Sequence, residues 1–207
     1  MPVHVLDHPL MHDALVTLRD LTTPPSEFRR SAHRISLMLA AEALRDVRST
    51  PVTVQTVLAP APGRKVASDL VVVPILRAGL SMLDSVLELV PTARVGVIGL
   101  QRNEETAVAS EYYCKLPPHM EDSEVLLVDP MLATGGSAVA AIELIKATGA
   151  RRIRMICIVS APPGVEALLQ AHPDVDLYTP VIDRELNAQK YIVPGLGDFG
   201  DRLYGTV

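Results

Sequence analysis

At 207 residues, with 48% hydrophobic and 21% charged residues, the sequence suits one compact α/β domain over 1–207 rather than a disordered chain. A net charge of −5 disfavours general nucleic-acid binding, and 3% aromatics without Trp leave no stacking platform for single strands. Asp7, Asp13 and Asp20 interrupt any apolar run of a secretory signal, and no stretch reaches the roughly 18 apolar residues that cross a bilayer. Two isolated cysteines, Cys114 and Cys157, make neither a disulfide framework nor a thiolate metal site, so a cytoplasmic protein is expected. A small anionic metabolite suits these numbers better than a polynucleotide or a membrane.

Val3–Leu6 is predicted as a short strand and Pro9–Arg19 as a helix, stopped by Thr22-Thr23-Pro24-Pro25-Ser26. From Glu27 to Val47, Phe28, Ile35, Leu39, Ala43 and Val47 recur at helical spacing. Val52–Leu58 alternates as a strand does, and Ala59–Lys65 reads as a Pro/Gly turn. Leu70–Leu76 is apolar at consecutive positions, the pattern of a strand covered on both faces. A helix to about Val90 follows Arg77-Ala78-Gly79. Further strands are predicted at Val95–Leu100, Glu124–Val128, Ile153–Ser160 and Val175–Ile182, with helices near Ser137–Thr148 and Gly164–Ala171. Such alternation predicts an α/β fold, a mainly parallel sheet flanked by helices on both faces. Ligands of such sheets sit where loops leave the carboxyl ends of the strands.

One of those loops carries the most chemistry. Glu124–Val128 runs through Asp129-Pro130-Met131-Leu132-Ala133 into Thr134-Gly135-Gly136-Ser137, which opens a helix. Glycines let backbone N–H groups approach an anion, and a helix start adds unpaired donors and a positive dipole end. The Thr134 and Ser137 hydroxyls can donate as well. No Gly-Lys-[Ser/Thr] ending is present, which disfavours an NTP-hydrolysing loop. Asp129, at the strand end, can accept two hydrogen bonds from a vicinal diol. Phosphate and diol binding by one loop suggest a ribose 5-phosphate.

Arg77 and Arg102 each leave the end of a predicted strand, and guanidinium groups bind phosphates in a bidentate way. For Arg102 a surface ion pair with Glu104 or Glu105 is the plainer alternative. The run Tyr191–Thr206 holds four glycines and one proline and suits neither a simple helix nor a simple strand. It reads as a loop that presents its backbone.

These segments together resemble the uracil phosphoribosyltransferases of the type I phosphoribosyltransferase family. Asp129–Ser137 is similar to that family's binding loop for phosphoribosyl pyrophosphate (PRPP), with the single acid and Pro-Met-Leu of the uracil branch. Val73–Leu80 and Leu100–Thr106 resemble its other PRPP-contacting motifs, and Tyr191–Thr206 its uracil-binding segment. The resemblance implies transfer of the phosphoribosyl group to N1 of uracil, giving UMP and pyrophosphate in pyrimidine salvage. It implies PRPP contact by Arg77, Arg102, Asp129, Pro130, Met131, Leu132, Ala133, Thr134, Gly135, Gly136, Ser137 and Asp198. Of these, Arg77, Arg102, Asp129 and Asp198 would serve catalysis. Ile192, Gly197, Asp198 and Phe199 would line the base beneath a small C-terminal hood. Mg²⁺ would arrive with PRPP, near Asp198, with no dedicated protein site. A homodimer or larger homo-oligomer is implied, and GTP activation is left open. Phe199 stands where many members have Ala, and Cys114 and Ala41 are milder departures.

Other tempting residues have plainer roles. His4, His8 and His12 are spaced by four, but the span crosses a strand–helix boundary and Pro9, which favours a surface cluster over a metal site. Arg151-Arg152-Ile153-Arg154 reads as a solvated strand flank, and Met38, Met82 and Met155 as core filler. Competing functions are an RNA-binding regulator on the same fold and transfer to a purine base.

Overall fold

The computed structural model describes residues 3–102 and 109–206, without the side chains of Arg102 and Ala109. Strand β1 (Val3–Val5) leads into α1 (Pro9–Arg19), where Nδ1 of His8 accepts the Leu10 N–H at 3.1 Å and Pro9 supplies the first helical φ. Helix α2 (Pro25–Ala43) begins two residues earlier than its periodicity suggests, again on a proline that needs no donor, and ends at Ala43. Its buried stripe is Phe28, Ala32, Ile35, Leu39 and Ala43.

The next segment departs most from expectation. Ala59–Lys65 is not a turn: β2 (Ser49–Gln55) and β3 (Pro60–Val66) form an antiparallel hairpin of their own. The turn falls at Thr56–Ala59, where the Thr56 hydroxyl donates to the Ala59 carbonyl at 2.7 Å and accepts the Ala59 N–H at 3.1 Å. Both strands of a two-stranded ribbon are edge strands, so Pro51, Pro60 and Pro62 are tolerated within them.

The main sheet begins at β4 (Leu70–Leu76), followed by α3 (Leu80–Leu89). The predicted strand Val95–Leu100 is divided at Gly96 into β5 (Arg94–Val95) and β6 (Val97–Arg102). An unassigned strand, β7 (Ala109–Lys115), pairs antiparallel with β6. Then come β8 (Glu124–Val128), β9 (Met131–Leu132) and α4 (Gly136–Ala147). The predicted strand Ile153–Ser160 is β10 (Arg152–Ile156) and β11 (Val159–Ser160), because the chain leaves β8 and pairs with β9 instead. Helix α5 (Pro162–Ala171) and β12 (Asp176–Thr179) follow. The C-terminal run is also more regular than its composition suggests: β13 (Glu185–Leu186) pairs with β14 (Ile192–Val193), and α6 (Phe199–Tyr204) closes the chain.

Strand order is β1-β12-β10-β8-β4-β6-β7, with β5 beside β4, and every pairing is parallel except β6 with β7. Alternate residues of one strand serve opposite faces. Val72, Leu126, Val128 and Ile156 pack with α1, α2, α3 and α6, whereas Val71, Val73, Val125, Leu127 and Met155 pack with α4 and α5. Burying such a side chain stabilises by roughly 1.5–3 kcal/mol, so the centre of the sheet is a rigid platform. Three neighbouring strands, β6, β4 and β8, direct Arg102, Arg77 and Asp129 to the same carboxyl edge.

Arg152 and Arg154 belong to β10 itself rather than to a solvated flank. Glu124, buried at the opposite edge of the sheet, lies 3.0 Å from Nε of Arg152, and Arg154 pairs with Asp46 at 2.9 Å. The histidines have separate partners: His4 pairs with Asp176 and stacks on Tyr178, and His12 pairs with Asp7. Among the described residues no helix is long and apolar enough to cross a membrane.

Candidate active site

The loop between β8 and α4 is held from behind. Ile158 and Val159 donate backbone N–H groups to the Pro130 carbonyl, both at 3.0 Å, and Ala161 donates to Leu132 at 2.9 Å. Gly135 precedes α4 with φ +84°, a left-handed conformation that side chains resist. A Cβ at Gly135 would lie 2.8 Å from the Ala167 Cβ and 2.9 Å from the Gly164 carbonyl. Gly164 is equally constrained, since its Cβ would lie 2.6 Å from the Ala133 carbonyl. Loop and α5 therefore meet backbone to backbone, and a concavity of about 120 Å³ is left between Asp129, Met131–Gly135, Ser137 and Ala138. With the α4 N-terminus at its floor, this cup suits an anion.

Asp129 stands at the rim. Burial pushes its carboxyl up to about 7, against the pull of the Met131 N–H that donates to it. Arg77 follows β4 on the adjacent strand, where an added Cβ at Gly79 would lie 2.5 Å from the Val128 carbonyl. The Arg77 side chain is 64% exposed, 3.9 Å from Asp201 and 5.8 Å from the centre of the Tyr204 ring. It is thus loosely held and open to a ligand. Arg102 ends β6 on the far side of Arg77, and its side chain lies outside the described residues.

The C-terminal segment forms the other wall. The Asp198 carboxylate caps α6 by accepting the Asp201 N–H at 2.9 Å. Phe199 opens the helix and is only 2% exposed, with its ring against Phe28. Gly197, at φ +84°, lets the backbone turn before the cap. A second cavity, of about 250 Å³, lies among Met131, Ala133, Gln189–Ile192 and Gly197–Phe199. That volume suits one small ring. Met131 and Ala133 line both cavities, so the anion cup and the ring-sized cavity share a wall.

The family profile described as uracil phosphoribosyltransferase matches residues 5–206. The chain belongs to the uracil phosphoribosyltransferase family. It is 51% identical over 205 residues to the uracil phosphoribosyltransferase of Symbiobacterium thermophilum, covering 99% of this chain and 98% of that one. To the same enzyme of Staphylococcus epidermidis it is 48% identical at the same coverage. A solved protein of Aquifex aeolicus superposes with a TM-score of 0.93 at 36% identity, over 98% of this chain and 97% of that one. A hypoxanthine-guanine phosphoribosyltransferase of Bacillus anthracis, 10% identical, shares the fold at a TM-score of 0.53 over 77% of this chain and 80% of that one. The chain is accordingly a phosphoribosyltransferase of the glycosyltransferase class, acting in uracil salvage.

Most residues singled out in the sequence converge on this edge: Arg77, Asp129 through Ser137, Ile192, and Gly197 through Phe199. Others went unnoticed. Gly164 carries the close approach of α5, and Pro162-Pro163-Gly164 at a helix start was its signal. Gln189 and Lys190 line the ring-sized cavity just before the segment Tyr191–Thr206, and Lys190 takes φ +67°. Asp183 and Arg19, beneath the same segment, were also missed, although Asp183 follows the predicted strand Val175–Ile182 much as Asp129 follows Glu124–Val128.

Proposed function

We propose that this one domain carries out uracil phosphoribosyl transfer with the cup of Thr134–Ser137 on the 5-phosphate, Asp129 on the ribose diol, and uracil in the cavity beside Met131 and Ala133. The supporting observation is the wall these two cavities share, which would set a ribose bound at Asp129 next to a small ring. Pro130 and Leu132 would act through their carbonyls, which tie the loop to β11 and α5. Exposed backbone around Gly197 and Phe199 would match the alternating C=O and N–H edge of uracil, with Ile192 on an apolar side.

N1 of uracil would attack the anomeric carbon as the C–O bond to pyrophosphate breaks, through an oxocarbenium-like transition state, with the N1 proton ending on the pyrophosphate. The protein then needs no nucleophile of its own. Arg77 and Arg102 would stabilise charge growing on the leaving group, an effect commonly worth roughly 3–4 kcal/mol per donor. The cup and Asp129 supply orientation.

The donor set fits a metal that brings its own ligands. Among the described residues no group of three or more His, Cys, Asp or Glu side chains could enclose an ion. Mg²⁺ carried by PRPP needs only one or two carboxylates, and Asp198 would be one. When bound, Mg²⁺ neutralises the departing pyrophosphate.

A cytoplasmic location is supported by the two unbridged thiols, Cys114 and Cys157. Assembly into a homo-oligomer rests on the family resemblance, and initial rates with and without GTP answer the regulatory question. The transfer is tested by stoichiometry. UMP and pyrophosphate should appear one for one from uracil, PRPP and Mg²⁺, and pyrophosphate release without uracil would point to a hydrolase instead.

A further inference from the structure

The C-terminal wall is braced from beneath by a buried ion pair. Asp183, with its side chain 4% exposed, receives both Nη atoms of Arg19, at 2.7 Å and 2.9 Å. The same carboxylate accepts the Gly195 N–H at 2.8 Å, and Nη1 of Arg19 also donates to the Gly195 carbonyl at 3.1 Å. Both backbone groups of Gly195 are therefore held by one bidentate pair. At this position φ is +55° and an added Cβ would lie 2.1 Å from the Ile192 carbonyl, so only glycine fits where the pair grips the backbone.

The brace continues into the anion cup. The Asp183 N–H donates to the Ser160 carbonyl at 2.8 Å, and Ser160 pairs in parallel register with Leu132 of the phosphate loop. An unbroken path runs from Leu132 through Ser160 and Asp183 to Gly195, then by two residues to Gly197 at the ring-sized cavity. Arg202 adds a parallel tie from α6, donating to the Leu196 carbonyl at 2.8 Å and the Asp20 carbonyl at 2.6 Å.

We infer that Arg19 and Asp183 are positioning residues, which fix the base-binding segment against the phosphate loop and so set uracil at attacking distance from the anomeric carbon. The inference rests on the functional reading above. Neither residue lines either cavity, so the pair acts through Gly195. Buried charges paired this closely are costly to disturb singly, and a misplacement near 1 Å can cost about 100-fold in rate.

Asp183→Asn sets an amide NH₂ against a donor in either orientation, because both carboxylate oxygens receive N–H groups. Arg19→Lys, the milder change, keeps the charge but loses the fork. In folded protein, checked by its melting transition, each variant should raise the KM for uracil about 10-fold or more and lower kcat, with the KM for PRPP within about 2-fold. The double variant should be no worse than the poorer single one, as for residues acting as a unit. Unchanged uracil KM in both folded variants, or equal rises in both KM values, would overturn the inference. If Asp183→Asn does not fold, Arg19→Lys alone carries the comparison. Should the unaltered protein make no UMP, the functional reading fails, and the brace is judged separately by hydrogen exchange. The Gly195 amide should be protected in the unaltered protein and lose protection in Arg19→Lys, and equal exchange in the two would refute it.

Discussion

The rings of Phe28 and Phe199 meet edge to face, 5.0 Å between centroids and 65° between planes, with the Arg202 guanidinium 4.6 Å over the Phe28 ring. This contact joins α2 to the first residue of α6. It packs the Phe199 ring into the core, at the margin of the cavity that Phe199 lines together with Met131, Ala133, Ile192 and Gly197. A large residue at this position is thereby reconciled with a site for a small base.

Phe199→Ala should accordingly be a stability variant more than a specificity variant. Removing a fully packed ring costs about 3–5 kcal/mol. Denaturant midpoints should show that loss, and the KM for uracil should move less than about 3-fold in the remaining folded protein. A large KM change without lost stability would place the ring in the cavity.

Asp129→Asn separates function from stability. Its carboxyl sits at about 7 in the folded protein against an ordinary value of 3.8, so the folded state holds a proton that the unfolded chain gives up. Stability from this group is full below about pH 4 and is lost as pH rises through about 7. The neutral amide escapes that loss. Asp129→Asn should be more stable than the unaltered protein at pH 8, by on the order of 1–3 kcal/mol, and no more stable at pH 4. Its UMP formation should fall at least about 100-fold, the scale of a lost orienting contact.

How much of this was legible beforehand depended on whether the signal was local. Leu70–Leu76 and Glu124–Val128 announced themselves because a strand covered on both faces must be apolar throughout. The passage from β8 into α4 stood out because Asp129, Thr134, Gly135, Gly136 and Ser137 bring acid, hydroxyl and glycine within a few residues. Strand β3 was read as a turn because of Pro60, Pro62 and Gly63, and only the absence of a second strand neighbour makes them admissible there. Strand β7 was missed because Ala109–Lys115 takes its identity from β6. Arg19 and Asp183 lie 164 residues apart in sequence, and no local pattern unites them.

Gly164→Ala tests the contact of α5 with the anion cup. A methyl group would push on the Leu132 and Ala133 carbonyls, both within 2.7 Å of the new Cβ. The KM for PRPP should rise about 10-fold or more, with the KM for uracil less affected. Equal effects on both substrates would mean that the loop does not hold the phosphate.

Arg77→Ala should lower kcat by about 100-fold or more with little change in melting, because the side chain is exposed and only loosely paired. Arg102→Ala should lower kcat to a similar extent. Tyr204→Phe removes a 3.3 Å bond to the Arg77 carbonyl but keeps the ring under the guanidinium, and should cost no more than about 5-fold. Unchanged kinetics in Arg77→Ala would remove that arginine from the site.

The most direct measurement is UMP formation from radiolabelled uracil and PRPP, with and without Mg²⁺, in competition with hypoxanthine, guanine and orotate. The paired cavities predict Mg²⁺-dependent UMP formation that none of the three rival bases suppresses at equal concentration. No UMP from folded protein supplied with GTP, or transfer to a purine in its place, would contradict the assignment of the cavity beside Met131 and Ala133 to uracil.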